Sequence, residues 1–232
     1  MKEQTFSPQN IRVGRNFLKI AAIVTMVIDH IGYMFISYPQ LYKLFRIVGR
    51  ISFPIFCFLL VEGFLTTSNV KKYILRLSIF AIISEVPFDL AFFGSPFYIA
   101  NQNVLFTLLI ALLVLIGLKH FTLMPLIQIA VIAAGCALAM AVNCDYGIWG
   151  ILLPAVFYIY KEKTASKYFW AMLLQFLQGG IQGYAVLAMP FILLYKPKQH
   201  EKRLPKYFGY AFYPAHLIVL YILSLLIQTL YF

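Results

Sequence analysis

Seven ionisable residues lie inside segments that are otherwise apolar enough to span a membrane. They are Asp29, His30, Arg46, Arg50, Glu62, Glu85 and Asp89. A charge at the centre of a bilayer costs about 2.5 to 3.5 kcal/mol on insertion scales, so these side chains need partners or a function. Among them only histidine titrates near neutral pH. His30 is therefore the candidate general base for a proton transfer.

Two pairs of these charges each share one face of a helix. Arg46 and Arg50 are four residues apart, as are Glu85 and Asp89, and this spacing puts each pair on one side of an α-helix. Because arginine binds carboxylate bidentately in a dry site, we expect the arginine pair to face the acidic pair. Structural ion pairs that lock the helices together would show the same pattern. The candidate partners of the imidazole are Asp29, Glu85 and Asp89.

Three more polar residues join the candidate set. Asn101 and Asn103 precede the fourth apolar segment, where their amides either cap the helix or orient a bound molecule. His216 lies in the last apolar segment beside Pro214, which kinks a helix and frees a backbone carbonyl group. His216 is the alternative to His30 as base, ranked second because no carboxylate is near it in the sequence.

The composition is that of a polytopic membrane protein. Hydrophobic residues make up 62% of the chain and charged residues 12%, and the mean hydropathy is +0.83. The net charge of +11 comes from short clusters between apolar runs, which suits contact with anionic lipid and excludes a basic nucleic-acid-binding domain. Three scattered cysteines predict neither a disulfide framework nor a metal site.

Apolar runs predict an all-α bundle of nine transmembrane helices, or eight if a short glycine-punctuated pair near the C-terminus is re-entrant. Residues 1–16 form a polar, basic segment, and residues 17–232 form a single transmembrane domain. The predicted spans are 17–36, 42–66, 72–93, 102–118, 122–142, 147–160, 167–179, 181–195 and 207–231.

The distribution of Lys and Arg predicts the orientation. With the N-terminus in the cytoplasm, 16 of the 19 Lys and Arg residues fall on the cytoplasmic side. His30 then lies about 20 Å from the cytoplasmic boundary, in the outer half of the first span. The charges separate into an outer cluster around His30 and an inner, basic level where Glu62 and Arg76 could meet.

Five stretches of the chain resemble the TraX family, and the resemblance extends from about residue 17 to residue 220. The family's founding role is N-terminal acetylation of conjugative pilin, and its members are bacterial membrane proteins. Lys19 and His30 are also separated by ten residues, similar to the basic-ten-His signature of related membrane acyltransferases, whose histidine is taken as catalytic. The stretches are LKIAAIVTMVIDHIGYMF (18–35), RIVGRISFPIFCFLLVEGF (46–64), YILRLSIFAIISEVPFDLAF (73–92), NQNVLFTLL (101–109) and FYPAHLIVL (212–220).

The resemblance implies a multi-pass acyltransferase of the bacterial cytoplasmic membrane, with acetyl-CoA as donor and no metal. His30 would be the base, with Arg46 or Arg50 stabilising the oxyanion. The acceptor would be an amine or hydroxyl of an extracytoplasmic peptide, such as a pilin N-terminus, or of a cell-surface glycan. The residues expected at the donor end are Lys19, Glu62, Lys71, Lys72 and Arg76.

Two other functions fit the same residues. Intramembrane histidine, carboxylates and arginines also suit a proton-coupled transporter or flippase of an anionic envelope precursor, although the sequence has no inverted repeat. A non-catalytic factor for pilus or envelope assembly would need these residues only for structure.

Overall fold

The computed structural model describes residues 13–197, 204–205 and 207–231. These ranges are helical and contain no β-strand, only two isolated β-bridges, which confirms the predicted all-α class. Most of the predicted N-terminal segment lies outside the described residues. The helices are α1 (Arg15–Phe35), α2 (Pro39–Gly49), α3 (Ser52–Thr66), α4 (Val70–Phe93), α5 (Val104–His120), α6 (Pro125–Ala141), α7 (Trp149–Ile159), α8 (Thr164–Gln178), a 3₁₀ helix (Gly180–Ala188), α9 (Met189–Leu193) and α10 (Phe208–Tyr231).

Each of the nine predicted apolar segments contains helix. In the described part of the chain, three stretches are long and apolar enough to cross a membrane: Arg15–Phe35, Pro39–Thr66 and Phe208–Leu230. The other apolar helices are shorter, and α4 has 24 residues but carries several charges. The number of spans and the cytoplasmic N-terminus stay predictions.

The second predicted segment consists of two helices, α2 and α3, which meet at Arg50 and Ile51. Pro54 explains the interruption, because it has no N–H to donate to the Arg50 carbonyl four residues earlier. The break leaves Arg46 and Arg50 on the α2 side, next to α1.

Helices α1 and α2 form a tight antiparallel hairpin, joined by residues 36–38. Glycines allow this close approach. A Cβ atom at Gly32 would overlap Phe45, and one at Gly49 would overlap the carboxylate of Asp29. The hairpin therefore brings the end of α2 directly onto the acidic residue of α1.

A packed apolar core lies between α1, α4 and α10. Its members are exposed by at most 1%, so this part of the bundle is closed. In contrast, α6 presents large apolar side chains outward, such as Leu126 at 81% exposure, as expected for a surface covered by lipid. The core residues are Leu18, Ala22, Leu77, Ala81 and Leu217.

Basic residues gather at one end of the bundle. Arg15 and Tyr73 both flank Gly63, which brings together the starts of α1 and α4 and the end of α3. The Lys119 ammonium group lies 5.6 Å from the ring centre of Phe64, which adds the end of α5. This grouping agrees with the charge pattern from which the orientation is predicted.

Candidate functional site

A cavity of about 580 Å³ opens at the end of the bundle opposite the basic end. Helices α1, α2, α4 and α10, the 3₁₀ helix and the loop 142–148 contribute to its wall. The polar lining residues are Asp29, His30, Arg46, Arg50, Ser52, Asn101, Asp145, Gln178 and Gln182. The cavity therefore contains five of the residues that the sequence singles out, namely Asp29, His30, Arg46, Arg50 and Asn101.

One carboxylate oxygen binds both arginines. Asp29 Oδ2 accepts hydrogen bonds from Arg46 Nη1 at 2.8 Å and from Arg50 Nη2 at 2.5 Å. The side chains are exposed by 11%, 17% and 5% respectively, so the cluster is largely desolvated. Asp145 lines the same cavity and interacts electrostatically with both arginines, so two carboxylates and two guanidinium groups share this site.

Arg50 is held by two further hydrogen bonds, whereas Arg46 has unused donors. Arg50 Nη1 donates to Gln182 Oε1 at 2.9 Å, and its Nε donates to the Arg46 carbonyl at 3.3 Å. The Arg46 guanidinium lies 5.3 Å from the ring centre of Tyr33 and donates one hydrogen bond, to Asp29, within the described part of the chain. Arg46 is therefore the arginine with N–H groups available for a bound molecule.

The two intramembrane histidines form a dyad. His30 Nδ1 and His216 Nε2 are 2.8 Å apart, although 186 residues separate them in the sequence. The angle between the ring planes is 9° and the ring centroids are 5.0 Å apart. Together with the short nitrogen–nitrogen distance, these values describe two nearly coplanar rings that are hydrogen-bonded edge to edge. His216, at 8% exposure, is buried behind His30, which lines the cavity.

The backbone assigns the proton positions in this dyad. His216 Nδ1 lies 2.9 Å from the Phe212 carbonyl oxygen, which can only accept, so His216 carries its proton on Nδ1. Its Nε2 must then accept, and His30 must donate through Nδ1–H. The remaining ring nitrogen of His30, Nε2, has a free lone pair, because it has no hydrogen-bond partner among the described residues. This nitrogen can accept a proton.

The acidic residues of α4 bind backbone and amide groups instead of arginine. Asp89 Oδ2 accepts from the Tyr98 N–H at 2.8 Å. Glu85 Oε2 accepts from the Asn103 N–H at 3.2 Å and from its side-chain amide. The expected pairing of Arg46 and Arg50 with these acids is contradicted, since both arginines bind the acid on the adjacent α1.

The two asparagines have different positions. Asn103 is fully buried and caps α5 by accepting from the Leu105 N–H at 2.9 Å, which confirms the capping alternative. Asn101 lines the cavity.

Three residues of the cavity lining, Asp145, Tyr146 and Gln182, are not among those predicted from the sequence. The surrounding protein reduces solvation of the Asp145 carboxyl group and raises its pKa to about 6, while the Arg50 guanidinium opposes this rise. Tyr146 stacks on Phe53 with ring centroids 3.5 Å apart. The turn sequence NCDYG is the feature of the sequence that could have indicated this loop.

The residues expected to bind a donor lie at the basic end, away from the cavity. Lys71 and Lys72 are exposed at the start of α4, and Lys19 lies close to the start of α10. Glu62 accepts from the Tyr195 hydroxyl at 3.3 Å, whereas Arg76 lies over the Tyr73 ring. The expected contact between Glu62 and Arg76 is therefore not formed. Among the described residues, no group of three or more His, Cys, Asp or Glu could hold a metal ion.

Comparisons with known proteins show the family of this chain. The family model described as "TraX protein" matches residues 14–224. "Probable fimbrial assembly protein FimC, serogroup H1" of Dichelobacter nodosus is 32% identical over 237 aligned positions, which cover 91% of this chain and 96% of that protein. "Uncharacterized protein RP591" of Rickettsia prowazekii (strain Madrid E) is 46% identical over 50 residues, or 22% of this chain and 19% of that protein. No solved structure matches.

Proposed function

Because the chain belongs to the TraX family, we propose that it is an acyltransferase of the bacterial cytoplasmic membrane. It transfers an acyl group, with acetyl as the first choice, from a CoA thioester to an amine or hydroxyl of an extracytoplasmic acceptor. The observation that carries the proposal is the free Nε2 of His30 in the cavity, fixed by the hydrogen bond to His216. The printed name of the Dichelobacter relative favours a fimbrial subunit as acceptor.

His30 acts as the general base in this proposal. Its Nε2 removes the proton from the attacking amine or hydroxyl while the new bond to the acyl carbon forms. The imidazolium that results keeps its Nδ1–H pointed at His216 Nε2, which stabilises the positive charge. The C–S bond then breaks, and the sulfur leaves as a thiol after it takes up the proton.

Arg46 stabilises the oxyanion. Negative charge develops on the acyl oxygen as the acceptor attacks, and preorganised N–H groups in a desolvated site are the usual means of stabilising it. Asp29 holds the Arg46 side chain through Nη1 and leaves its other N–H groups available. Arg50 has a positioning role, since its contacts fix Asp29 and Gln182.

The basic end fits the phosphate groups of acetyl-CoA, which supplies the activated acyl group as a thioester. Lys71 and Lys72 are exposed, and Arg76 has a buried Nε without a hydrogen-bond partner among the described residues. The apolar core between α1, α4 and α10 is closed. We propose that the acyl-bearing arm reaches His30 between these three helices, which must then separate during transfer.

Turnover of acetyl-CoA by purified protein in nanodiscs tests the proposal. We expect His30→Ala to bind acetyl-CoA but to lose about 10²- to 10⁴-fold in hydrolysis or transfer, the usual contribution of a general base. His216→Ala should show a smaller loss, because it removes only the orienting partner. Glu162→Gln, in an exposed turn at the opposite end of the bundle, is the matched control.

A non-catalytic role in fimbrial assembly is the second candidate, favoured by the relative's printed name. It predicts no thioester turnover by the wild type, and full assembly function for a folded His30→Ala protein. Loss of assembly function together with loss of turnover in His30→Ala would support the enzyme instead.

A further inference from the structure

A small recess of about 10 Å³ adjoins the cavity on the side of α8 and the 3₁₀ helix. Its volume is about that of one water-sized group. The recess and the cavity share part of their lining, so a molecule bound in the cavity has room to extend one small group into the recess. The shared lining residues are Arg50, Phe53, Tyr146, Trp149, Gln178 and Gln182.

Three glutamines provide amide groups in the lining of this recess. Gln175 and Gln178 are three residues apart and share one face of α8, and Gln182 follows on the 3₁₀ helix. The one charged residue of the lining, Arg50, already donates to Asp29, to Gln182 and to a backbone carbonyl. The recess therefore suits an uncharged polar group.

Gln175 has an unused hydrogen-bond acceptor. Its side chain is buried, and its Nε2 donates to the Ala171 carbonyl at 3.0 Å. Because a carbonyl oxygen can only accept, this contact fixes which end of the amide is nitrogen. The Oε1 atom is buried and has no hydrogen-bond partner among the described residues. A buried acceptor without a partner is unfavourable, so this residue favours a ligand that donates.

Gln182 is the complement of Gln175. Its Oε1 accepts from Arg50 Nη1 at 2.9 Å, whereas its Nε2 forms no hydrogen bond with the described residues. The recess thus offers one free acceptor and one free donor. A hydroxyl group both donates and accepts, so it satisfies both glutamines, whereas an ammonium group only donates and a carbonyl group only accepts.

We propose that the recess binds one uncharged hydroxyl group of a ligand held in the cavity. The O–H donates to Gln175 Oε1 and the hydroxyl oxygen accepts from Gln182 Nε2. His30 lines the cavity but not the recess, so the bound hydroxyl serves recognition and is not the group that is acylated. That this ligand is the acyl acceptor rests on the proposed acyltransferase function, but the binding of the hydroxyl does not.

A matched pair of small probes tests the proposal. The chain has two tryptophans, and Trp149 lines the recess, so a Trp170→Phe background leaves Trp149 as the fluorescent reporter. The probes are 2-phenylethanol and 2-phenylethyl fluoride, in which a fluorine of similar size replaces the hydroxyl and cannot donate. We expect the alcohol to bind about three- to tenfold more tightly, as a neutral hydrogen bond allows. Empty nanodiscs correct for partition of the probes into lipid.

Gln175→Met should abolish that preference, because methionine has a similar length but no strong acceptor. The variant should weaken binding of the alcohol about three- to tenfold and leave binding of the fluoride unchanged. The matched control is Gln228→Met, which removes an exposed amide near the end of α10 and should alter neither affinity.

Equal binding of the two probes to the wild type, absence of binding, or an unchanged preference in Gln175→Met would overturn the proposal. So would an equal loss of both probes in Gln175→Met, because that result indicates a disturbed recess and not a lost acceptor. If Gln175→Met does not fold, Gln175→Leu provides the same comparison. Hydroxyl-selective binding without acetyl-CoA turnover would refute the acyltransferase alone, whereas turnover without a preference for the alcohol would refute the hydroxyl site alone.

Discussion

Asp29→Asn should destabilise the protein more than any other single removal of a carboxylate. The substitution keeps the shape of the side chain but removes the negative charge that Arg46 and Arg50 contact directly, in a site where the arginine side chains are only 17% and 5% exposed. Removing one partner from a buried ion pair typically costs about 3 to 5 kcal/mol. For a chain of this size, that corresponds to a fall in melting temperature of about 6 to 20 °C.

The free cysteines provide the assay. Cys57 is fully buried and Cys144 is 6% exposed, so a fluorogenic maleimide should label them only as the protein unfolds. Glu162→Gln removes an exposed carboxylate in a turn and should melt as the wild type does.

A second substitution tests whether the loss is electrostatic. Arg46→Gln in the Asp29→Asn background removes one of the two unpaired charges, so the double variant should melt at a higher temperature than Asp29→Asn alone. Arg46 is the better choice for removal because Arg50 has additional bonds to Gln182 and to backbone. If the two substitutions lower the melting temperature additively, the three side chains are not coupled and the reasoning is refuted.

Three further outcomes are expected. Gly49→Ala should prevent stable folding, because its Cβ overlaps the Asp29 carboxylate, whereas Gly183→Ala, with its nearest atom 3.8 Å away, should be tolerated in the same melting assay. Glu85→Gln should lower the melting temperature by loosening the start of α5 but retain turnover, and a loss of turnover at unchanged stability would instead assign Glu85 to the chemistry. Folding stability should fall as pH rises toward 6, because the surrounding protein reduces solvation of the Asp145 carboxyl group and raises its pKa to about 6, above the ordinary 3.8. A series of melting curves against pH checks this, and the step should disappear in Asp145→Asn.

The sequence predicted the membrane class, the helical segments and the separation of charges into two levels. These properties depend on composition and on helical rise, which are local. The predicted partner of the two arginines is wrong. The prediction rests on the equal four-residue spacing of the arginines on α2 and of the acids on α4, whereas the acid that they bind lies on α1, the helix next to α2 in the chain. The connection 36–38 is too short to separate α1 from α2, and Gly32 and Gly49 allow the two helices to touch. Adjacent helices joined by a short loop pack together first, so Asp29 was the nearer acid.

The histidine dyad could not be predicted in the same way. His216 was ranked second because no carboxylate lies near it in the sequence, yet the structure shows that it needs none. The Phe212 carbonyl, one turn earlier on the same helix, fixes its tautomer, and only the packing of α10 against α1 and α4 brings its Nε2 to His30. The two histidines are therefore not rivals for one role. Of the four ring nitrogens, only Nε2 of His30 has a free lone pair. The hydrogen bonds of the other three nitrogens fix the tautomers of both rings, so that this Nε2 can accept a proton in the cavity.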